Sequence, residues 1–313
     1  MVIMVLDQTI IPNDIVLFTN PSKILGNPVY GRFGKEFPIR FDFLDTMQGG
    51  NLSLQVHPMT KYVQDTFGQH YTQDESYYLL DAAEGACVYL GVQNGIKPSD
   101  MIKDLRRAES GEIKEFPAEK YANCFPAKKH DHFLIPGGTV HCSGSNAMVL
   151  EISSNPYMFT FKLWDWGRLG LDGRPRPINV GHGAKNIQFD RDTDFAKNHL
   201  INQIVKLDSG EGWEKEKTGL HQMEFIETVR TWFTEKYPAT TEGIEEGSCH
   251  VINMIEGKEA LVESVNESFE PFVIHYAETM IIPASVGEYT IKPYGESVGK
   301  KCGIITASIR TKA

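Results

Sequence analysis

Apolar and polar residues alternate in short runs along most of this chain, and Gly, Pro and Asn/Asp-rich turns cut the runs apart. The clearest run is Asn51-Leu-Ser-Leu-Gln-Val-His-Pro58. As a strand it places Leu52, Leu54 and Val56 on one face and Ser53, Gln55 and His57 on the other. The apolar face suits packing, and the polar face offers an amide oxygen beside an imidazole nitrogen. Pro58 stops the strand, so His57 is expected near one end of the sheet. Ile39–Leu44, Glu75–Leu80, Ala86–Val92, Met148–Ile152 and Phe159–Trp166 read as further strands, and Phe133–His141 reads as strand, turn, strand. Residues 1–50 otherwise read as short strands broken by Pro12, Pro21, Gly26, Pro28, Gly31, Gly34 and Pro38. Lys61–Phe67 predicts one or two helical turns. Pro98–Ala108 predicts a helix capped by Ser99 or Asp100, with Met101, Ile102 and Leu105 on one face. Many short strands at close spacing point to an antiparallel barrel or sandwich.

Residues 183–217 are rich in Asp, Lys, Gln and Asn, with a helical stretch expected near Phe195–Val205. Strand-like segments then return at Phe225–Phe233, Cys249–Ile255, Ala260–Val262 and Phe272–His275. Met280–Ile291 mirrors Phe133–His141: an apolar strand, Ile-Pro, small residues and a second strand. This weak repeat predicts two related β-domains, drawn at residues 1–187 and 188–313. The second copy lacks the His141 position, which marks it as structural.

Composition narrows the function classes. A length of 313 residues exceeds what one core usually serves. The net charge of −10, with no long basic run, disfavours nucleic acid and anionic membrane as partners. No apolar run approaches the length of a membrane span, and the N-terminus does not read as a signal peptide. The five cysteines (Cys87, Cys124, Cys142, Cys249 and Cys302) are scattered without a CxxC pair. A reduced, cytoplasmic setting is the expectation.

Gln55, His57, Glu75 and His141 each fall on a strand or strand end of the first domain. Two imidazoles with a carboxylate make a common shell for a catalytic divalent metal, and a neutral amide oxygen can add a fourth ligand without adding charge. No short spacing joins the four, so a wet strand face is the competing reading. His130-Asp131-His132 is a rival pair, expected nearer solvent beside Lys128 and Lys129.

Leu54-Gln-Val-His-Pro58, Asp74-Glu-Ser-Tyr-Tyr78, Ile135-Pro-Gly-Gly-Thr-Val-His141, Leu150-Glu151 and Thr160–Arg168 together resemble the class I mannose-6-phosphate isomerases. The resemblance spans residues 38–187, about half the chain. It implies a mainly β fold of two cupin-type (jelly-roll) barrels with a few short helices, the first catalytic and the second degenerate. It also implies one zinc ion held by Gln55, His57, Glu75 and His141, with Arg168 as the active-site arginine near the reacting sugar carbons. Arg174 is then a candidate phosphate contact, with Arg176 and Lys185 as neighbours, and the implied partner is a small phosphosugar. The implied reaction is aldose–ketose isomerisation, mannose 6-phosphate to fructose 6-phosphate. The chain departs from the family at Gln73, where a lysine is usual, at Gly167, and in the missing amino-terminal Trp-Gly-Gly. Gln73 can hydrogen-bond substrate but cannot act as a base near neutral pH. That departure keeps open a non-catalytic sugar-binding or regulatory cupin. Two His and a carboxylate also describe a non-haem iron oxygenase, which Gln55 and Arg168 disfavour.

Overall fold

The computed structural model describes residues 3–6, 9–155, 159–219, 224–242 and 247–310. The chain opens with a hairpin, β1 (Ile3–Leu6) and β2 (Thr9–Pro12), and three short helices, α1 (Asn13–Thr19), α2 (Pro21–Leu25) and α3 (Asn27–Phe33). Strands β3 (Ile39–Asp45) and β4 (Leu54–Val56) lead into α4 (Thr60–Phe67), β5 (Glu75–Ala82), β6 (Cys87–Val92), α5 (Pro98–Glu109) and α6 (Ala118–Tyr121). Then come β7 (Ala122–Pro126), β8 (His132–Ile135), β9 (His141–Ser143), β10 (Ala147–Ser154) and β11 (Phe161–Trp164). Helices α7 (Val180–Gly183) and α8 (Thr193–Phe195) follow, and α8 continues as a π turn, Ala196–Leu200. The rest is strand: β12 (Val205–Gly210), β13 (Trp213–Gly219), β14 (Ile226–Phe233), β15 (Tyr237–Thr240), β16 (His250–Glu256), β17 (Glu259–Ser264), β18 (Phe272–His275), β19 (Thr279–Ile282), β20 (Glu288–Pro293) and β21 (Cys302–Ile309). The mainly β, antiparallel architecture expected from the pattern is the one adopted, and it is consistent with the cupin-type fold that the resemblance implies.

Two compact units divide the chain, Arg40–Asn202 and Met1–Ile39 with Gln203–Ala313. The first holds a four-stranded sheet in the order β3-β10-β5-β8 and a five-stranded sheet in the order β11-β4-β9-β6-β7. Tyr77, Leu79, Phe133, Ile135 and Val149 of the one meet Val88 and Leu90 of the other in the core between them. On its other face the five-stranded sheet packs Leu54, Val56, Phe161 and Leu163 against Met101 and Leu105 of α5. The period-2 reading of Asn51–Pro58 therefore holds: the leucine and valine side chains enter an apolar cluster, which leaves Gln55 on the inner face. The second unit pairs a sheet in the order β12-β13-β14-β21-β16-β19 with one in the order β15-β20-β17-β18. Its core joins Phe233, Ile252, Met254 and Ile304 to Val262, Ile274 and Ile291.

Several expectations need correction. Residues 188–202 belong with the first unit, not the second. Gln188 and Asn202 donate backbone bonds to the carbonyls of Gly138 and His132, and the buried Arg191 guanidinium binds the carbonyl of Pro136 at 2.8 Å. Residues 1–39 belong with the carboxy-terminal strands: the Phe33 ring packs at a tilt against Phe225, centroids 4.9 Å apart, and the Cys249 N–H donates to the carbonyl of Leu25. Residues 13–33 are helical, because Pro21 and Pro28 occupy first turns, where a missing N–H costs nothing, rather than breaking strands. Pro98 likewise takes the first turn of α5, so Lys97 precedes that helix with no side-chain cap. The helix expected near Phe195–Val205 is only the short turn ending at Leu200, and Val205–Gly219 forms a hairpin whose exposed polar strands gave no apolar stripe to read.

Candidate metal centre

The inner face of the first unit turns polar at one end of its strands. Gln55 of β4 lies directly across from His141 of β9, the single cross-strand pair between those strands. Residues paired in this way share a face, so both side chains point inward. Glu75 opens β5, and its cross-strand partners are Ser153 of β10 and Ile135 of β8. His57 follows β4 and is fixed by a tight turn, since its carbonyl accepts the Gly138 N–H at 2.8 Å. Gly138 holds φ +88°, and a Cβ on its neighbour Gly137 would come within 2.6 Å of the Pro58 carbonyl. Only glycines let the two segments approach this closely. The Asp74 carboxylate accepts from the Gly137 N–H at 2.7 Å and closes the turn from the other side.

These constraints bring three side chains to one point. His57 Nε2 lies 3.1 Å from Glu75 Oε2 and His141 Nε2 lies 2.9 Å from Glu75 Oε1, all three residues being fully enclosed. The ligand-type atoms of His57, Glu75 and His141 all fall within 4.8 Å of one another. Gln55 Nε2 is 3.2 Å from His141 Nε2, and its Oε1 accepts from Ser53 Oγ at 3.2 Å. A half-turn of that amide exchanges its oxygen and nitrogen, placing the oxygen toward the cluster and the NH₂ toward Ser53. The outer ring nitrogens are already engaged: His141 Nδ1 with the Thr139 carbonyl at 2.8 Å, and His57 Nδ1 with the Phe159 carbonyl at 3.4 Å. Donation from those nitrogens leaves both Nε2 lone pairs facing inward.

The residues fit a divalent cation. His57 Nε2 and Glu75 Oε1 are buried and close to their neighbours, yet neither makes a hydrogen bond of proper geometry among the described residues. Atoms that crowd together without bonding one another are aimed at a shared point, as ligands are. Electrostatics agree. Burial works against charge on both His57 and Glu75, but their mutual attraction outweighs it, raising the His57 pKa and holding the Glu75 carboxyl well below the usual range. Gln73, itself 5% exposed, donates Nε2–H to Glu75 Oε2 at 2.9 Å, so it orients one of the three clustered side chains.

Two further residues face inward: Glu151, which had no role assigned from sequence, and Lys162, which the sequence offered as one candidate for the base. Glu151 pairs with Tyr77 while Ser153 pairs with Glu75, which puts Glu151 on the same face as Glu75. Its Oε1 accepts from Arg40 Nη1 at 2.8 Å and Ser153 Oγ at 3.0 Å. Burial and the Glu75 charge push its pKa up to about 8, with Arg40 only partly offsetting them. Lys162 of β11 lies directly across from Gln55. Its neighbours Phe161 and Leu163 enter the apolar cluster on the other face, an alternation visible in the sequence.

The remaining candidates make no hydrogen bond or ion pair with the triad among the described residues. Arg168 pairs with Asp165 at 3.0 Å and donates to the carbonyl of Asn51. Lys162 and Arg176 approach the same buried Asp165 carboxylate at 3.5 and 3.8 Å, so three cations surround one anion. Arg174 sits exposed on the turn, where its backbone N–H bonds Asp172, and Lys185 is exposed just after α7. The rival pair does not form a site: His132 is fully buried against Tyr78, contrary to the solvent-facing expectation, and His130 bonds the Tyr78 hydroxyl at 3.1 Å.

No protein-family model matches the chain. The mannose-6-phosphate isomerase of Bacillus subtilis is 24% identical over 267 residues, covering 85% of this chain and 75% of that protein. The mannose-6-phosphate isomerase of Streptococcus mutans is 28% identical over 144 residues, 46% of this chain and 42% of that one. Among solved structures, the mannose 6-phosphate isomerase of Bacillus subtilis superposes with a TM-score of 0.73 at 20% identity, covering 94% of this chain and 81% of that one. A variant phosphomannose isomerase from Salmonella typhimurium gives 0.70 at 13% identity, covering 98% and 88%. Sequence and fold together make this chain a relative of the mannose-6-phosphate isomerases.

Proposed function

We propose that the chain is a zinc-dependent aldose–ketose isomerase of a phosphorylated sugar, with mannose 6-phosphate to fructose 6-phosphate as the first reaction to test. The observation that carries this reading is the convergence of His57, Glu75 and His141, with Gln55 beside them, on one buried point in a relative of such isomerases. In this reading Arg40–Asn202 is the catalytic unit, and the carboxy-terminal strands form a second, degenerate cupin.

When bound, the cation supplies a Lewis acid for the negative charge that develops on the two adjacent sugar oxygens. Glu151 is the group that moves the proton between C2 and C1. Its Oε1 is occupied by Arg40 and Ser153, which leaves Oε2 for exchange, and a carboxyl with a pKa near the working pH suits general acid–base chemistry. Lys162, facing Gln55 across the strand pair, places a positive charge beside the developing enediolate. Arg168 and Arg176 leave a net positive patch around Asp165, which suits the phosphate group. Gln73 holds Glu75 in place rather than touching the sugar. No described helix is long and apolar enough to cross a membrane, and the free cysteines fit the proposed cytoplasmic setting.

The test follows fructose 6-phosphate formation from mannose 6-phosphate by the zinc-loaded protein, with a chelator-treated control. Turnover that chelation abolishes and zinc restores is the expected result. A filled metal site without turnover would refute the isomerase and favour a sugar-binding cupin, the reading that Gln73 keeps in play.

A further inference from the structure

The second unit repeats the feature that makes the centre of the first: its inner face changes from apolar to polar along the same strands. On β21, Cys302 and Ile304 enter the core, and the next residues on that face are Thr306 and Ser308. On β14, Phe233 is in the core, while Val229 and Glu227, opposite Thr306 and Ser308, share its face farther along. On β16, Ile252 lies in the core opposite Thr306, and His250 comes next on that face. A purely structural sandwich would continue its apolar pattern through these positions. Instead a cavity of about 400 Å³ opens here, lined by Lys215, Glu227, His250, Tyr289, Thr306 and Ser308.

The lining presents unused hydrogen-bonding capacity. Tyr289 is 1% exposed, and its hydroxyl bonds His250 Nδ1 at 2.7 Å, which anchors that ring. Burial and the Lys215 charge push the His250 pKa down to about 4, so the imidazole is neutral at pH 7. Lys215, Glu227, Thr306 and Ser308 make no side-chain hydrogen bond or ion pair among the described residues. With Glu288 also on the wall, two carboxylates face one ammonium. That balance repels phosphate esters and other anions, whereas interleaved donors, acceptors and tyrosine rings suit a neutral ligand dense in hydroxyl groups.

We infer that the cavity between the two carboxy-terminal sheets is a binding site for an unphosphorylated sugar or small polyol, separate from the metal centre. Nothing in this inference depends on the isomerase reading.

Calorimetric titration of the full zinc-loaded chain with D-mannose and with D-mannitol tests it. Saturable binding of at least one probe, unchanged in Glu75→Gln, is the expected result. Glu227→Gln, nearly isosteric, then weakens that binding by about five-fold or more. Thr306→Leu, which fills the cavity, removes it. Should Thr306→Leu fail to fold in a thermal melt, Glu227→Gln alone decides. No saturation by either probe up to about 50 mM, a level far weaker than a useful site, would overturn the inference. So would binding lost in Glu75→Gln, or binding indifferent to the cavity variants.

Discussion

Replacing Gln73 by leucine separates metal binding from folding, because this side chain does one identifiable thing at the centre. It is 5% exposed, it donates to Glu75 Oε2 at 2.9 Å, and its own Oε1 has no hydrogen-bond partner among the described residues. Leucine keeps most of the volume and deletes the donor. A hydrogen bond to an ionised acceptor contributes about 1.5–3 kcal/mol, and each 1.36 kcal/mol is a factor of ten. Zinc affinity should therefore fall about 10- to 100-fold, the range typical for groups that orient metal ligands. The metal-free fold should change little, within about 1 kcal/mol, because the substitution also removes an unpaired buried oxygen. Competition of zinc against a chromophoric chelator gives the first quantity, and thermal melts of metal-free protein give the second. Zinc affinity within about threefold of wild type would refute the reasoning, since Glu75 would then hold its position without Gln73.

Other residues make distinct predictions. Glu151→Gln should lower kcat by about 100-fold or more while zinc affinity stays near wild type, as read by steady-state kinetics beside the chelator competition; a loss below about threefold would remove Glu151 from proton transfer. Lys162→Met should reduce kcat/KM by about tenfold or more, whereas exposed Arg174→Ala should stay within about twofold, so equal effects would dissolve the distinction drawn between them. Gly137→Ala puts a Cβ 2.6 Å from the Pro58 carbonyl and 2.9 Å from Thr72, and chemical denaturation should show a loss of about 1–3 kcal/mol. His250, held neutral by burial with a pKa of about 4 against 6.5 unfolded, contributes stability that is complete above pH 6.5 and drains as pH falls toward 4. The loss should amount to about 1–3 kcal/mol for this half-buried ring, and a denaturation series on His250→Gln should be flatter across that window.

How much of the centre could be read in advance depends on whether a residue's role was local. The alternation of Leu54, Gln55 and Val56 put Gln55 on the inner face, because one face of β4 enters an apolar cluster and a strand has only two faces. Pro58 and the Gly137-Gly138 turn carried equally local information. Glu151 did not, and Lys162 could be named only as one candidate for the base. Lys162 alternates plainly between Phe161 and Leu163, but its place opposite Gln55 comes from the pairing of β11 with β4, which joins segments about a hundred residues apart. The β10–β5 register hid Glu151 in the same way, by setting it beside Tyr77 and two register positions from Glu75 on the same face. Motif matching supplied Arg168, and the fold adds that its guanidinium is held by Asp165 and the Asn51 carbonyl.

The carboxy-terminal unit shows why a lost ligand is weak grounds for calling a copy structural. The absent His141 position says only that this half holds no metal in that manner. The stronger signal is the end of the apolar alternation, where Ile304 is followed on its face by Thr306 and Ser308, and Ile252 is preceded on its face by His250. Closing Thr306 and Ser308 into a core without partners would cost about 1–3 kcal/mol each, a cost that valine or leucine there would avoid. Packing alone gives no reason for these polar residues at inward positions, and a cavity that exchanges its water for a hydroxyl-rich ligand gives one. Filling that cavity with apolar side chains should then stabilise the fold and abolish binding together, a pairing that an ordinary core position would not show.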